Sequence, residues 1–568
     1  MPAEASIGPD PACCHAQVIK SGGASGGNAA KERFLYNKLI ALYSRSPLTT
    51  PDAVRLFHHL PFVPNAASWT AAISALCSDP PAAAKLFLSM LRRHYLPTQS
   101  TISSLLKILS FSPSYISLGL QLHSLSLKLS LSVLPFSGSA LIGFYSKNFL
   151  SSDALEAFHE IYEPDDVCFA AAIVGLAQNK RPADVFSLFR DMRRGGISST
   201  MYSVSGAVRA AADTAALEQT RAIHAHAVVA GIEPNSVVGT ALVDAYGKAG
   251  LVSDAHREFD ELLFASRANL VTWNAVLSAY AQHGDAETIK QLFDEMLARK
   301  LKPDEYTFLS ILTACSNAGS VDDTRNWLNA MSPLYGIQPG LEHYTCIVGS
   351  MARAGRLEEA ERFAATMPFE PDAAVWRTLL SGCMVHGNAD IGRSAAGHLL
   401  ELDPQDDSAY VMLSKIYSSL GRKDEMAKQW TTMRDLGVKK EGGRSWVEVM
   451  GSVHMFIAGD RQHEWSPEIY AKVSELEAAV RKLGYVEKGG EGVWHHSERL
   501  AVAFVLLRST TAVCGKSLRV MKNLRICSHC HEFFKYVSRV VKRGILVRDV
   551  NRYHWFQQDG SCSCKDCW

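Results

Sequence analysis

Two short groupings near the C-terminus carry residue types suited to hydrolytic chemistry: His496-Ser497-Glu498 and Cys527-Ser528-His529-Cys530. One imidazole and two thiolates make a three-ligand zinc site whose fourth position stays open to water. A carboxylate two residues from the histidine reaches that water without being a ligand. This is the plan of zinc nucleobase deaminases, in which an activated water adds to C4 of cytosine and the glutamate carries protons. Each grouping alone is weak, because a CxxC also serves structural zinc or a redox pair and HxE arises by chance. Four later residues, His531, His554, Cys562 and Cys564, could close a second, four-ligand site with no open position, stapling the C-terminal tail. The plainer alternative places His554 in a core and leaves the tail cysteines as free thiols.

The elements that must position these groups are legible around them. HSE opens the apolar run LAVAFVLL, of helical length, and CSHC opens FFKYVSRVV, whose apolar residues recur at helical spacing. SLRVMKNLRI and ILVRDV read as strands, so the order is helix, strand, helix, strand, with each candidate ligand group at a helix start.

A chain of 568 residues exceeds one core and implies several domains or an elongated array. At 47% hydrophobic and 20% charged it is ordered rather than disordered in composition. The net charge of only +1 argues against a protein that grips nucleic acid mainly through phosphates, so any such binding relies on specific side chains or local patches. One patch runs from Arg499 to Arg552, where lysines and arginines face only Glu532 and Asp549. It reads either as a solvated basic face or as a surface for a polyanion. Of the 13 cysteines, the early ones are scattered apart from Cys13-Cys14 and the late ones cluster in CxxC and CxC spacings, which suits a reducing compartment with metal sites. No apolar run is long enough to span a membrane. The first residues hold Glu4 and Asp10 and no arginine before Arg33, unlike an Arg-rich transit peptide, and HAQVIKSGG looks like the end of a repeat, so the chain is expected to begin inside one.

Internal repetition dominates the rest. SALIGFYSKNFL from Ser139 recurs as TALVDAYGKAGL from Thr240, and SWTAAISAL from Ser68 recurs as TWNAVLSAYA from Thr272. Three such series, each with a period of roughly a hundred residues, interleave at about a third of that, as in helical-hairpin solenoids. Each unit holds two amphipathic helices, neither able to bury its apolar face alone, so that stacking supplies the core and leaves a concave surface. A protein-binding solenoid of the tetratricopeptide kind is the simplest alternative use of such a surface.

Residues from about Lys439 to the end resemble the DYW domain of plant organellar pentatricopeptide-repeat proteins, the C-to-U RNA-editing factors. The resemblance rests on GGRSWVEV, VHMFIAGDRQH, HSERLAVAF, KNLRICSHCH, VRDVNRYHWF and DGSCSC in fixed order. The three series resemble the family's P, L and S repeats, and the stretch containing LLELDPQDDSAYVMLSKIYSSLGRKDEM resembles its degenerate E-type repeats. The resemblance implies an all-α superhelical solenoid followed by a small α/β cytidine-deaminase-like zinc domain. Its parts would be a partial repeat or disordered N-terminus (1–32), the repeat array (33–372), the E-type repeats (373–440) and the deaminase-like domain (441–568). It further implies two Zn2+ per chain. His496, Cys527 and Cys530 would hold the catalytic ion, with Glu498 as proton shuttle, and His531, His554, Cys562 and Cys564 would hold the structural one. The implied partner is single-stranded organellar RNA, with other editing factors and no membrane, in a mitochondrion or chloroplast, the former preferred.

In repeats of this kind one base is read by two side chains, one early in the first helix and one at the repeat's end. The aligned pairs are Asn37 with Asn65, Thr70 with Thr98, Ser139 with Asp165, Ala170 with Thr200, Ser205 with Asn235, Thr240 with Asn269, Asn274 with Asp304, and Thr345 with Asp372. Ser103 with Leu134 and Leu309 with Gly340 lack a normal pair and are expected to read nothing. For any single residue the alternative is a helix cap, and recurrence at equivalent positions argues against that alternative. The family's pairing code makes Thr240–Asn269 an adenine reader, Asn274–Asp304 a uridine reader and Thr345–Asp372 a guanine reader.

Three features depart from the family pattern: the chain ends Asp566-Cys567-Trp568 instead of Asp-Tyr-Trp, Gly442 stands where proline is usual, and the segment Glu487–His495 is much shorter. Two rivals to an editing enzyme follow. One is a recognition factor with an inactive domain that recruits a deaminase. The other is an RNA-processing or stability factor without editing.

Overall fold

The structure is a computed structural model describing residues 11–22, 29–46, 49–232, 235–486, 495–508, 517–550 and 552–564. The segment before HSE, apart from His495, and the terminal Asp-Cys-Trp lie outside the described residues. The chain divides into two compact units, Met1–Ala210 and Ala211–Trp568.

The first unit is a stack of helical hairpins. Ala66–Ala75 and Pro80–Arg92 form one hairpin, and Asp166–Gln178 and Pro182–Arg194 another. First helices start where an asparagine, threonine or aspartate can cap them, and second helices often start on proline, which lacks only an N–H that would be orphaned anyway. Trp69, Ile73, Leu105, Leu141 and Ile173 are buried between successive hairpins, where neither helix of a pair could hide them alone.

The second unit has helical hairpins of its own, from Leu217–Val229 onward, the last four helices being Ala373–His386, Ala389–Leu402, Asp407–Ser419 and Lys423–Asp435 before the chain changes character. Close approach of first helices is built in: a Cβ placed on Gly382 would lie 2.6 Å from that of Ala352. Then comes a five-stranded sheet, ordered β2-β1-β3-β4-β5, from β1 (Arg444–Val449), β2 (Ser452–Ile457), β3 (Leu518–Lys522), β4 (Ile545–Arg548) and β5 (Tyr553–Phe556). Only β3 and β4 are parallel, and the helix Ser528–Val541 makes the crossover that a parallel pair needs. β1 and β2 are joined by Met450 and Gly451, both at positive φ (51° and 74°), the twist that a two-residue hairpin favours. The helices Ser466–Lys482, Ser497–Arg508 and Ser528–Val541 bury Val473, Leu476, Leu500, Phe504, Phe533 and Phe534 against this sheet. The core is therefore separate from the repeat stack.

The sheet domain also folds back onto earlier repeats of the same unit. The Glu448 carboxylate accepts the backbone N–H groups of Glu218 and Gln219, at 2.7 and 2.9 Å, capping the helix Leu217–Val229 from outside it. Trp446 Nε1 donates to the Thr214 carbonyl at 3.0 Å. The Tyr553 ring stacks on His283 with centroids 4.4 Å apart. No described helix is long and apolar enough to cross a membrane.

Candidate metal centres and nucleic-acid interface

His496 lies just before the helix Ser497–Arg508, and Cys527 is the N-cap of the helix Ser528–Val541, its sulfur accepting the Cys530 N–H at 3.4 Å. A CxxC at a helix start puts both sulfurs on one side of the first turn, with the positive helix end beneath them. The sheet then brings the two helix starts together. His496 Nδ1 is 3.5 Å from Cys527 Sγ and 3.4 Å from Cys530 Sγ. With zinc–sulfur near 2.3 Å and zinc–nitrogen near 2.0–2.1 Å, the sulfur–nitrogen edge of a tetrahedral site is about 3.6 Å. The donor set and its spacing thus fit a metal ion. The Cys530 thiol and the His496 imidazole hold the Cys527 sulfur well below the usual thiol range, whereas burial pushes Cys530 up.

Glu498 joins the same cluster, 1% exposed. Its Oε2 accepts from Lys522 Nζ at 2.7 Å and from Ser497 Oγ at 3.2 Å, while Oε1 is buried with no hydrogen-bond partner. A carboxyl group anchored through one oxygen and bare on the other is placed to exchange a proton with whatever enters beside it. Lys522 was visible in the sequence only as a member of the basic patch. The signal that singles it out is its place at the C-terminal end of β3, where ligands gather in sheets with parallel strands.

The second cluster is closed. His531 Nε2 is 3.2 Å from Cys564 Sγ, which is 3.3 Å from Cys562 Sγ, and His554 completes a group that is buried throughout. Asp549 Oδ2 lies 3.3 Å from His554 Nε2 and also accepts the Ile526 N–H, the supporting carboxylate that histidine ligands usually have. Cys530 and His531 are consecutive, yet they face different clusters because neighbouring helical residues point about 100° apart.

A cleft of about 940 Å3 opens from the first cluster. His496, Glu498, Lys522 and Cys527 line one side, and Arg377, Ser381 and Lys415 from the helices Ala373–His386 and Asp407–Ser419 line the other. The basic run expected as one face is dispersed. Arg499 is fully buried, its guanidinium 4.2 Å from the Phe533 ring centroid, and Arg525 donates to Ser381 Oγ at 2.5 Å. Arg548 reaches the Lys248 carbonyl at 3.4 Å. The sequence run misled because it counted residues on helices and strands that face in different directions.

In the repeats, Asn65, Thr98, Asp165, Asn235, Asn269, Asp304 and Asp372 each occupy an N-cap and accept a backbone N–H with the side chain, as Thr200 does from Ser203. Recurrence therefore does not separate base reading from capping, since every first helix needs a cap. The early-helix partners lie alongside in three cases. Asn274 Nδ2 donates to Asp304 Oδ1 at 2.9 Å. Thr240 meets the Thr272 hydroxyl at 2.7 Å, and Thr272 donates to Asn269 at 3.1 Å. Thr70 meets Thr101 at 2.7 Å, and Thr101 meets Thr98 at 3.0 Å. Ser139, Ser205 and Thr345 bond back to carbonyls of their own helices. Asn37 is half-buried within Ala29–Tyr43, Ala170 is buried, and Ser205 and Asn235 fall in different units. Leu134 makes no side-chain cap, and the Gly340 N–H donates to His343 Nδ1 instead.

Comparison with known proteins resolves the lineage. Residues 472–568 match the DYW family of nucleic acid deaminases, 386–448 the E motif, 268–317 the PPR repeat family, and 167–197 and 342–367 the PPR repeat. The pentatricopeptide repeat-containing protein At2g03880, mitochondrial, of Arabidopsis thaliana is 37% identical over 94% of this chain and 85% of its own length. The chain belongs to the pentatricopeptide-repeat family. Another Arabidopsis thaliana member, the putative pentatricopeptide repeat-containing protein At5g52630, is 34% identical over 98% of this chain and 94% of its own. Other relatives are longer: this pentatricopeptide-repeat chain spans 55% of At4g33170, at 35% identity over 95% of the chain, and 61% of At1g68930. The crystal structure of the pentatricopeptide repeat protein PPR10 in complex with an 18-nt psaJ RNA element shares the fold, with a TM-score of 0.60 at 19% identity over 75% of this chain and 65% of that one.

Proposed function

We propose that this protein binds single-stranded RNA of a mitochondrion or chloroplast through its repeats and converts a cytidine to uridine in its C-terminal domain, with release of ammonia. The observation that carries this reading is Glu498, buried in a histidine–cysteine cluster at the head of a cleft with one oxygen uncommitted. His496, Cys527 and Cys530 would hold a zinc ion, which when bound would supply the activation of the attacking water. Glu498 Oε1 would carry two protons in turn, the first from the attacking water to the ring nitrogen of the base, where it stays in uridine, and the second from the hydroxyl so formed at C4 to the amine that leaves as ammonia, while Lys522 holds Oε2 in place. His531, His554, Cys562 and Cys564 would hold a second zinc with a structural role. The E-type repeats and the deaminase domain together wall the cleft, so a base reaching Glu498 passes between them.

Incubation of the purified chain with an RNA carrying A-U-any-G a few nucleotides 5′ of one cytidine tests the reading. Conversion to uridine, with about two zinc ions per chain by elemental analysis, is expected. Full zinc and tight RNA binding without conversion would leave a recognition factor that depends on a separate deaminase.

A further inference from the structure

The cleft wall opposite the metal cluster is built by a segment that the sequence reading left without a role in chemistry. Lys415 stands in the middle of the helix Asp407–Ser419, lines the cleft together with His496, Glu498 and Cys527, and makes no ion pair or hydrogen bond among the described residues. The other cations of the cleft are engaged. Arg377 pairs with Asp406, Lys522 with Glu498, Arg353 bonds the Ser316 carbonyl at 3.0 Å, and Arg525 bonds Ser381. Lys440, which also lines the cleft, sits over the Trp430 ring, 5.8 Å from its centroid.

Of the cleft's ammonium groups, Lys415 alone has neither an ion pair nor a ring beneath it among the described residues. The carboxylates of the cleft are engaged elsewhere: Glu498 with Lys522, Asp406 with Arg377, Glu441 with Arg444, and Asp403 and Asp407 with the backbone N–H groups of Gln405 and Glu441. Withdrawal from bulk water in the cleft, and the ammonium groups of Lys440 and Lys522, hold Lys415 below the usual lysine range although Cys527 and Glu498 oppose this. An unpaired cation beside other cations is costly unless an anion arrives, and the anion that accompanies a nucleobase into a cleft is its own phosphodiester.

We propose that Lys415, backed by Lys440, is a phosphate-binding subsite: it takes the RNA phosphodiester next to the nucleotide presented to Glu498. This rests on the RNA-deaminase reading above and deepens it. It gives the E-type repeats a direct part in seating the substrate, as a clamp that fixes the backbone while the base turns inward. A phosphate contact carries no sequence information, so it would act equally on every target that the repeats select.

The test couples one protein change to one phosphate. Lys415→Gln and Lys415→Arg are made in the full chain; the side chain faces the cleft and not the packed side of its helix, so neither disturbs a core. Affinity is measured for RNAs carrying A-U-any-G upstream of a single cytidine, each with one neutral methylphosphonate at successive linkages around that cytidine. At one linkage bordering the cytidine, neutralisation is expected to weaken binding to the wild type about tenfold and to leave Lys415→Gln, already weaker, without further loss. Lys415→Arg should behave as wild type, and the salt dependence of binding should flatten by about one phosphate in Lys415→Gln. If wild type and Lys415→Gln lose affinity in parallel at every linkage, the subsite is wrong while the deaminase reading stands. If the wild type binds none of these RNAs, both fall together.

Discussion

Asn269 and Asp304 find their partners three residues away, at the backbone N–H of Thr272 and Thr307, whereas His496 meets Cys527 and Cys530 across 31 and 34 positions of chain. The repeats place polar groups by local geometry, renewed at each helix start. The C-terminal domain places them by a single sheet that must form as a whole. A local arrangement degrades one contact at a time. A non-local one tolerates little, because each ligand depends on the same core of Leu500, Phe504, Phe533 and Phe534.

The difference sets an order of expected effects. Replacing Cys564 with Ser should remove a sulfur from the closed cluster and destabilise the C-terminal domain by on the order of 5 kcal/mol or more, because metal binding there is folding energy. Limited proteolysis should then cut this domain while the repeats persist, and a domain that stays protected with full zinc would show that the cluster is no structural site. Glu498→Gln keeps size and packing but removes the proton carrier. Deamination should fall by about 10²–10⁴-fold, some 3–5 kcal/mol in the barrier, with zinc content and RNA affinity unchanged. Appreciable residual activity would mean that another group moves the proton. Smallest is Asp304→Asn. Asparagine caps a helix as well as aspartate, so thermal stability should hold, while preference at one RNA position shifts from U toward C by about 1–3 kcal/mol. A base preference left unchanged would assign Asp304 to capping alone.

That last pairing shows what the sequence could and could not say. Asn274 and Asp304 were aligned by period, and the structure brings their side chains into contact, but the same alignment finds N-caps, because both roles ask for a short polar residue at the same boundary. The grouping of the two histidine–cysteine clusters was readable from HxE, CxxC and CxC, since metal ligation, which such patterns suggest, restricts residue types and spacings severely. Lys522, Lys415 and Glu448 were not, because a lysine or glutamate is compatible with almost any exposed position and only the folded neighbourhood distinguishes one. The docking of Glu448 on the helix Leu217–Val229 joins positions about 230 residues apart and occurs once, so no periodicity announces it. Arg499, a surface charge by composition, is core by structure for the same reason.

Cys530 and His531 belong to different clusters but to one helical turn. With the two zinc ions proposed above, ion exchange at the closed cluster would require that turn to open, since all four of its donors are buried. In a chelator, the chain should accordingly lose its ions in sequence, the solvent-facing one first and reversibly, the enclosed one later and with the helix start unwound. Re-addition of zinc after the first step restores a ready-made ligand set, while re-addition after the second must wait for refolding. On this proposed assignment the lifetime of the open cluster would be set by His531, the residue that follows Cys530.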